Sequence, residues 1–312
     1  MSVYSRGLAS LENEPLPRIE WEESDCLLCG SREWSPVVEA PDPSPGLGLW
    51  FAVVQCQECG LCFTNPRPGP DSIGLFYPED YPPHRRSGKG PPKSLRSLLW
   101  KPDLGYADIP WHGRGRLLDF GCGNSKFLER MRRRGWEVTG LDISPNAVQR
   151  IRSATDLRVL TGDLPHPDLP PESFDVVTMW QSLEHVHHPR PVLREACKLL
   201  APGGKLVAAV PNIDSLPFRW FGADWFALDL PRHLTHFTPM TLTLMLQRAG
   251  FRIAEVRMVR HSLWLRKSAQ LASRRRGPYW RRWLVAKPLA RIAAWYSQAT
   301  QQSDCVLVTA EK

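Results

Sequence analysis

From about residue 114 the chain alternates short apolar runs with amphipathic stretches of helical period, and nothing else in it restricts the fold as strongly. Runs at 116–120 (RLLDF), 137–142 (EVTGLD), 157–161 (LRVLT), 174–180 (FDVVTMW) and 204–210 (GKLVAAV) read as strands, with helices between them near 124–134, 144–153 and 190–200. Strands separated by helices pair in parallel, because each crossover helix covers a face of the sheet. A further helix is expected over 239–249, with Thr238 as N-cap, Pro239 in the first turn and Gly250 as C-cap. Strands at 252–260 and 304–310 then complete a doubly wound, mostly parallel α/β sheet of seven strands.

The front third is different. Sixteen of the 30 prolines lie in residues 1–112, which suits a small loop-rich module at 1–75 and a linker or lid arm at 76–113, ahead of a main domain at 114–312. Within the module, Cys26-Leu-Leu-Cys29-Gly30 and Cys56-Gln-Glu-Cys59-Gly60 are two C-x-x-C turns, each closed by glycine. Each turn aims two thiolates at one point, and a hairpin between the turns would bring all four together as a closed, structural zinc site. Cys62 reads as a small core residue, and Cys122, Cys197 and Cys305 as packing. The first twenty residues carry no apolar signal segment, and no run approaches the ~18 apolar residues of a membrane span. The expectation is a reducing, cytoplasmic setting, where clustered cysteines hold metal in preference to forming disulfides.

The first strand of the main domain runs into Asp119-Phe-Gly121-Cys-Gly123-Asn-Ser125. Glycines there let the backbone approach a ligand, and an acid at the strand end can hold a cationic group. Asp142 ends the next strand, 23 residues on, about the offset at which a carboxylate reaches ribose hydroxyls. Asp163 follows the third strand. A nicotinamide-binding turn needs a third glycine at 126, where this chain has lysine. Three acids after three successive strands, with LLDFGCGNS, GLDISP, TGDL, FDVVTMWQSLEHV and LAPGGKL, resemble the class I S-adenosylmethionine-dependent methyltransferases over roughly 114–260 and 304–312. That resemblance implies that Asp119, Gly121 and Gly123 meet the methionine portion of the cofactor, Asp142 the ribose and Asp163 the adenine amino group. It also implies that Ile143 and Leu164 pack on the adenine faces. Ser125 stands where many members have another glycine. FYPEDY at 76–81 and PRHLTHF at 231–237, with the four-cysteine module, are similar to a subgroup that includes sugar C-methyltransferases, whose large C-terminal domain this chain lacks.

A methyl acceptor with a hydroxyl or an acidic C–H needs a general base from the carboxyl ends of the strands. His233 is the first candidate, His185 the second and His236 the third, while Glu184 and His185 alone are too few to hold a metal. Arg232 suits either an anionic acceptor or an interior ion pair. The net charge of +8 belongs to one segment: residues 262–302 hold nine basic and no acidic side chains, leaving −1 for the rest. That segment, an insertion between the last two strands, also carries Trp264, Tyr279, Trp280, Trp283, Trp295 and Tyr296, and after Pro288 a face of Leu289, Ile292, Ala293 and Tyr296. It suits a packed flap or oligomer contact, the inner face of a membrane, or, with least support, nucleic acid. The expected function is methyl transfer to oxygen of a small-molecule, sugar or lipid-linked glycan acceptor. A zinc-containing rRNA or tRNA methyltransferase and a non-catalytic cofactor-binding scaffold are the alternatives.

Overall fold

Seven strands build the main sheet of the computed structural model, which describes residues 18–43, 48–77, 108–277 and 281–312. Ahead of that sheet come five short strands: β1 (Trp21–Glu22), β2 (Trp34–Pro41), β3 (Trp50–Cys56), β4 (Cys62–Thr64) and β5 (Arg67–Pro68). β2 and β3 form the antiparallel hairpin that links the two C-x-x-C turns. β1 and β5 pair as a separate ribbon.

The main sheet contains β6 (Arg116–Phe120), β7 (Glu137–Asp142), β8 (Arg158–Thr161), β9 (Phe174–Trp180), β10 (Leu200–Pro211), β12 (Arg252–Val259) and β13 (Cys305–Glu311), in the order β12-β13-β10-β9-β6-β7-β8. Strands β8, β7, β6, β9 and β10 are mutually parallel, and β13 runs antiparallel to both β10 and β12. Every residue of β9 is buried, as a central strand covered on both faces requires. β10 begins at Leu200, four residues before the expected strand. The strand passes through Pro202-Gly203-Gly204, where Gly203 takes a φ of +72°, and the pairing with β9 slips between Leu200 and Lys205.

Helices α1 (Lys126–Arg132), α2 (Pro145–Ala154) and α3 (Pro189–Leu199) fill the crossovers. α2 is capped by Ser144, whose hydroxyl accepts from the Ala147 amide. After β10 come α4 (Leu216–Phe221), then β11 (Thr235–His236) and α5 (Pro239–Arg248), which opens on a reciprocal cap between Thr238 and Thr241. The basic segment folds as α6 (Ser262–Arg276) and α7 (Lys287–Ala299). Its expected helical face divides: Leu289, Ile292 and Tyr296 are exposed, whereas Ala293 turns inward, because the small side chains Ala290, Ala294 and Ser297 form the packing face. Tyr279 and Trp280, and the lid arm apart from residues 76–77 and 108–113, lie outside the described residues.

The two sheets meet through β11. It pairs antiparallel with β4, so a strand from the main domain is the edge of a sheet ordered β11-β4-β3-β2. The cores merge as well, since Leu28, Val54 and Phe63 pack in one cluster with Leu183, Phe237 and Leu242. At the joint, Arg232 is fully buried. Its Nη2 donates to Asp42 and Asp229 at 2.8 Å each and its Nη1 to the carbonyl of Phe76 at 2.8 Å. The PRHL arginine is therefore an interior ion pair that binds loop 229–232 to the end of β2. Removing one partner of such a cluster leaves uncompensated charge inside the protein. Arg232→Met is expected to cost about 3–5 kcal/mol of unfolding free energy, read from urea midpoints.

Candidate active site

Parallel pairing puts the carboxyl ends of β6 to β10 along one edge, and the site is assembled there. After β6 the chain turns through Gly121, whose amide donates to the Leu141 carbonyl at 2.8 Å. Its φ is +70°, and a Cβ at this position would lie 2.5 Å from that of Ser182, so both conformation and space demand glycine. The Gly123 amide donates to Oδ2 of Asp142 at 2.7 Å and the Ser144 amide to Oδ1 at 2.9 Å. The Asp142 carboxylate thus holds the glycine turn and the start of α2 in register. Ile143, next to it, is 74% exposed, a large apolar side chain standing on the rim of the site.

The other two acids differ. Asp119 is buried and accepts from the Thr178 hydroxyl at 2.7 Å, and burial pushes its carboxyl up to about 7. Asp163 accepts from the Leu164 amide at 2.7 Å and is also raised by burial. Leu164 is buried in the main core, whereas Ile143 is not.

Beyond β9 a single turn, Leu183–His185, brings Glu184 and His185 against loop 229–237. The Leu234 amide donates to the Glu184 carbonyl at 2.8 Å, tying the two segments together. The rings of His185 and His233 meet edge to face, centroids 4.6 Å apart. Nδ1 of His233 lies 2.9 Å from the Ala227 carbonyl. A carbonyl only accepts, which places the proton on Nδ1 and leaves the Nε2 lone pair open, 3.9 Å from Oε1 of Glu184. By the same reasoning His185 carries its proton on Nδ1, which faces the Arg232 carbonyl and the Tyr77 hydroxyl, each at 3.0 Å. Neither carboxyl oxygen of the fully buried Glu184 has a hydrogen-bond partner among the described residues. Burial pushes Glu184 up to about 8, His233 down to about 4 and His185 down to about 3. Near neutral pH the cluster is therefore uncharged, each imidazole keeping one nitrogen unprotonated. One ligand atom from each of Glu184, His185 and His233 lies within 4.8 Å of the others, so the same groups have the spacing of a cation site.

His236 stands apart. The Thr64 hydroxyl donates to the His233 carbonyl at 2.7 Å, so His236 donates its Nε2 proton to Thr64 at 3.0 Å. This fastens β11 to β4, and burial holds the ring neutral, down to about 3. In the small sheet, Cys26 and Cys59 lie 3.4 Å apart at their sulfurs, as do Cys29 and Cys56, and all four sulfurs fall within 4.8 Å of one another. The turns close through amides of Gly30 and Gly60 that donate to the carbonyls of Cys26 and Cys56. Cys62 is buried outside this cluster, its thiol pushed up to about 12 by burial.

A family model described as a methyltransferase domain matches residues 87–256, more than half of the chain. The chain belongs to the class I S-adenosylmethionine-dependent methyltransferases. It is similar to a ubiquinone biosynthesis O-methyltransferase of Xanthomonas axonopodis pv. citri, at 34% identity over 202 residues, covering 59% of this chain and 82% of the relative. The relative of the same name in Xanthomonas euvesicatoria is 35% identical over 173 residues, covering 51% of this chain and 71% of that one. A solved methyltransferase from Mesorhizobium loti aligns at 24% identity and a TM-score of 0.44, covering 65% of this chain and 94% of that one.

The sequence reading missed three groups that shape the methyltransferase site. Tyr77 sits in the noted FYPEDY motif, but its contact with His185 spans 108 positions. Thr178 is hidden inside an apolar strand. Asp229 accepts from Arg232, whose guanidinium keeps its carboxyl low despite burial.

Two of the histidines impose a pH dependence. On unfolding, His233 and His236 return from their depressed values to the ordinary 6.5. The unfolded chain then binds protons more readily than the folded one, so this contribution is full above about pH 6.5 and declines as pH falls towards 4. Lowering pH across that window is expected to reduce the wild-type urea midpoint relative to that of His233→Asn, whereas the raised acids Glu184 and Asp119 act in the opposite direction in both chains.

Proposed function

We propose that this methyltransferase alkylates an oxygen of a small hydroxylated acceptor, with His233 as general base and His185 beside it. The observation that carries this reading is the open Nε2 lone pair of His233, held in a neutral, dehydrated cluster at the carboxyl edge of the sheet. The name of the curated relatives, O-methylation in ubiquinone biosynthesis, supports oxygen as the acceptor atom and a ring-bearing small molecule as its class. A sugar hydroxyl or a lipid-linked glycan would meet the same base.

S-adenosylmethionine, when bound, supplies a methyl group already activated by a sulfonium. The residues present fit it: Gly121 gives close backbone approach, each oxygen of Asp142 keeps a lone pair for a ribose hydroxyl, and the exposed Ile143 offers an apolar cover for adenine. Gly123 and Asp163 complete the adenosine and methionine contacts on this reading, and Asp119, bonded to Thr178, ties β6 to β9 beneath the turn. A phenol-like hydroxyl loses its proton only near pH 10 in water. His233 Nε2 takes that proton as the oxygen attacks, and the ionised Asp229 carboxylate, held low beside Arg232, supplies the negative charge that favours the imidazolium. Orientation of the acceptor supplies the remainder of the rate.

For the four thiolates we propose a structural zinc ion. The donor set is closed and tetrahedral in kind, leaving no position for substrate. One equivalent of zinc per chain is expected by elemental analysis, and its loss in Cys26→Ser should lower the melting temperature.

The catalytic assignment is tested by transfer of isotope-labelled methyl groups into the organic-soluble fraction of a cell extract. His233→Asn is expected to slow turnover about 10²–10⁴-fold while calorimetric affinity for the cofactor stays within about twofold. Asp142→Ala should lose that affinity instead. An unchanged cofactor affinity in Asp142→Ala would remove the site from this edge of the sheet.

A further inference from the structure

The α6–α7 unit shows an arrangement that core packing does not explain. Helix α7 turns its small residues inward: Ala290, Ala293, Ala294 and Ser297 are buried. Its outward stripe is Leu289, Ile292, Trp295 and Tyr296, exposed by 40%, 60%, 58% and 53%. At about 100° per residue these four, with the exposed Pro288 and Ala299, occupy one arc of about 120°. No charged residue falls within it. Lys287 and Arg291 lie along one border of the arc, and Trp283, 53% exposed, stands in the turn that leads into the helix. A surface helix of a water-soluble protein ordinarily presents the reverse pattern.

We propose that this stripe docks on an anionic lipid surface. Large apolar side chains, tryptophan and tyrosine at the boundary and flanking cations together match the acyl and headgroup layers of one leaflet. Charge selects among occupants. Residues 262–302 carry nine cations and no acid, so an isologous contact with a second copy would bring no acid from this segment to the Lys287 and Arg291 border of the arc. A phosphate backbone would meet an uncharged arc. No helix among the described residues is long and apolar enough to cross a membrane, so the contact is peripheral. The unit is rooted where a lipid-borne acceptor would arrive. Val259 and Cys305 are paired, and Cys305 faces Pro211 at the carboxyl end of β10, the same edge that carries His233 and Asp142.

The test is flotation of the full-length chain with phosphatidylcholine vesicles, with and without phosphatidylglycerol. The wild-type chain is expected to float with the anionic vesicles only, and less so as salt rises. Ile292→Ser with Trp295→Ser should weaken that partition at least about tenfold, the least expected from withdrawing two large apolar side chains. Because both side chains are exposed, the double variant should keep its helical spectrum and its cofactor affinity. Wild-type chain left at the bottom of the gradient would overturn the proposal, as would equal flotation of the double variant. A wild-type dimer without vesicle-bound protein, made monomeric by the same substitutions, would also overturn it and assign the stripe to a second copy.

Discussion

A guanidinium with no exposed surface governs the geometry around it. Arg232 has to find acceptors inside the protein, and it finds them on three separate parts of the chain: Asp42 at the end of β2, Asp229 in its own loop and the carbonyl of Phe76. Satisfying one cation thus fixes the small sheet, the start of the connecting arm and the loop bearing His233 relative to one another. The Arg232 carbonyl then orients His185. A buried ion pair contributes little net stability, because desolvation offsets much of the attraction. Its effect here is on specificity, since alternative placements of loop 229–237 would strand the charge.

The cluster beside it is uncharged for the same reason. Glu184, His185 and His233 sit where ionisation is costly, so the carboxyl keeps its proton and the imidazoles do without theirs. A neutral histidine has a free nitrogen over the physiological range, and the ionised Asp229 carboxylate nearby favours the charge produced on it. Dehydration weakens the histidine as a base in the resting protein, and proton transfer creates a charge that the Asp229 carboxylate offsets.

The α/β body was legible because its signals are local. β6, β7 and β9 coincide with the apolar runs that announced them, and Thr238 and Pro239 marked the start of α5. The hairpin between the C-x-x-C turns followed from their spacing. What escaped depends on distant partners. β11 is two residues long and owes its existence to β4, with His236 bonded to a threonine 172 positions away. Arg232 was left between two roles because Asp42 lies 190 positions upstream. α6 was hidden by its cations, which are answered by remote groups: Arg275 and Arg276 by the buried Asp224, and Lys267 by the ring of Phe226.

The strand β11 also has a consequence for how the chain is made. Strands β2, β3 and β4 emerge early in synthesis, yet their sheet lacks its last member until residue 236 has been added. Through that interval β4 is an open edge, able to pair with another nascent chain. A metal held by the four thiolates would close the hairpin early and shorten the period in which only local contacts support it. The small sheet is then less a separate module than the first half of a structure whose second half arrives some 170 residues later.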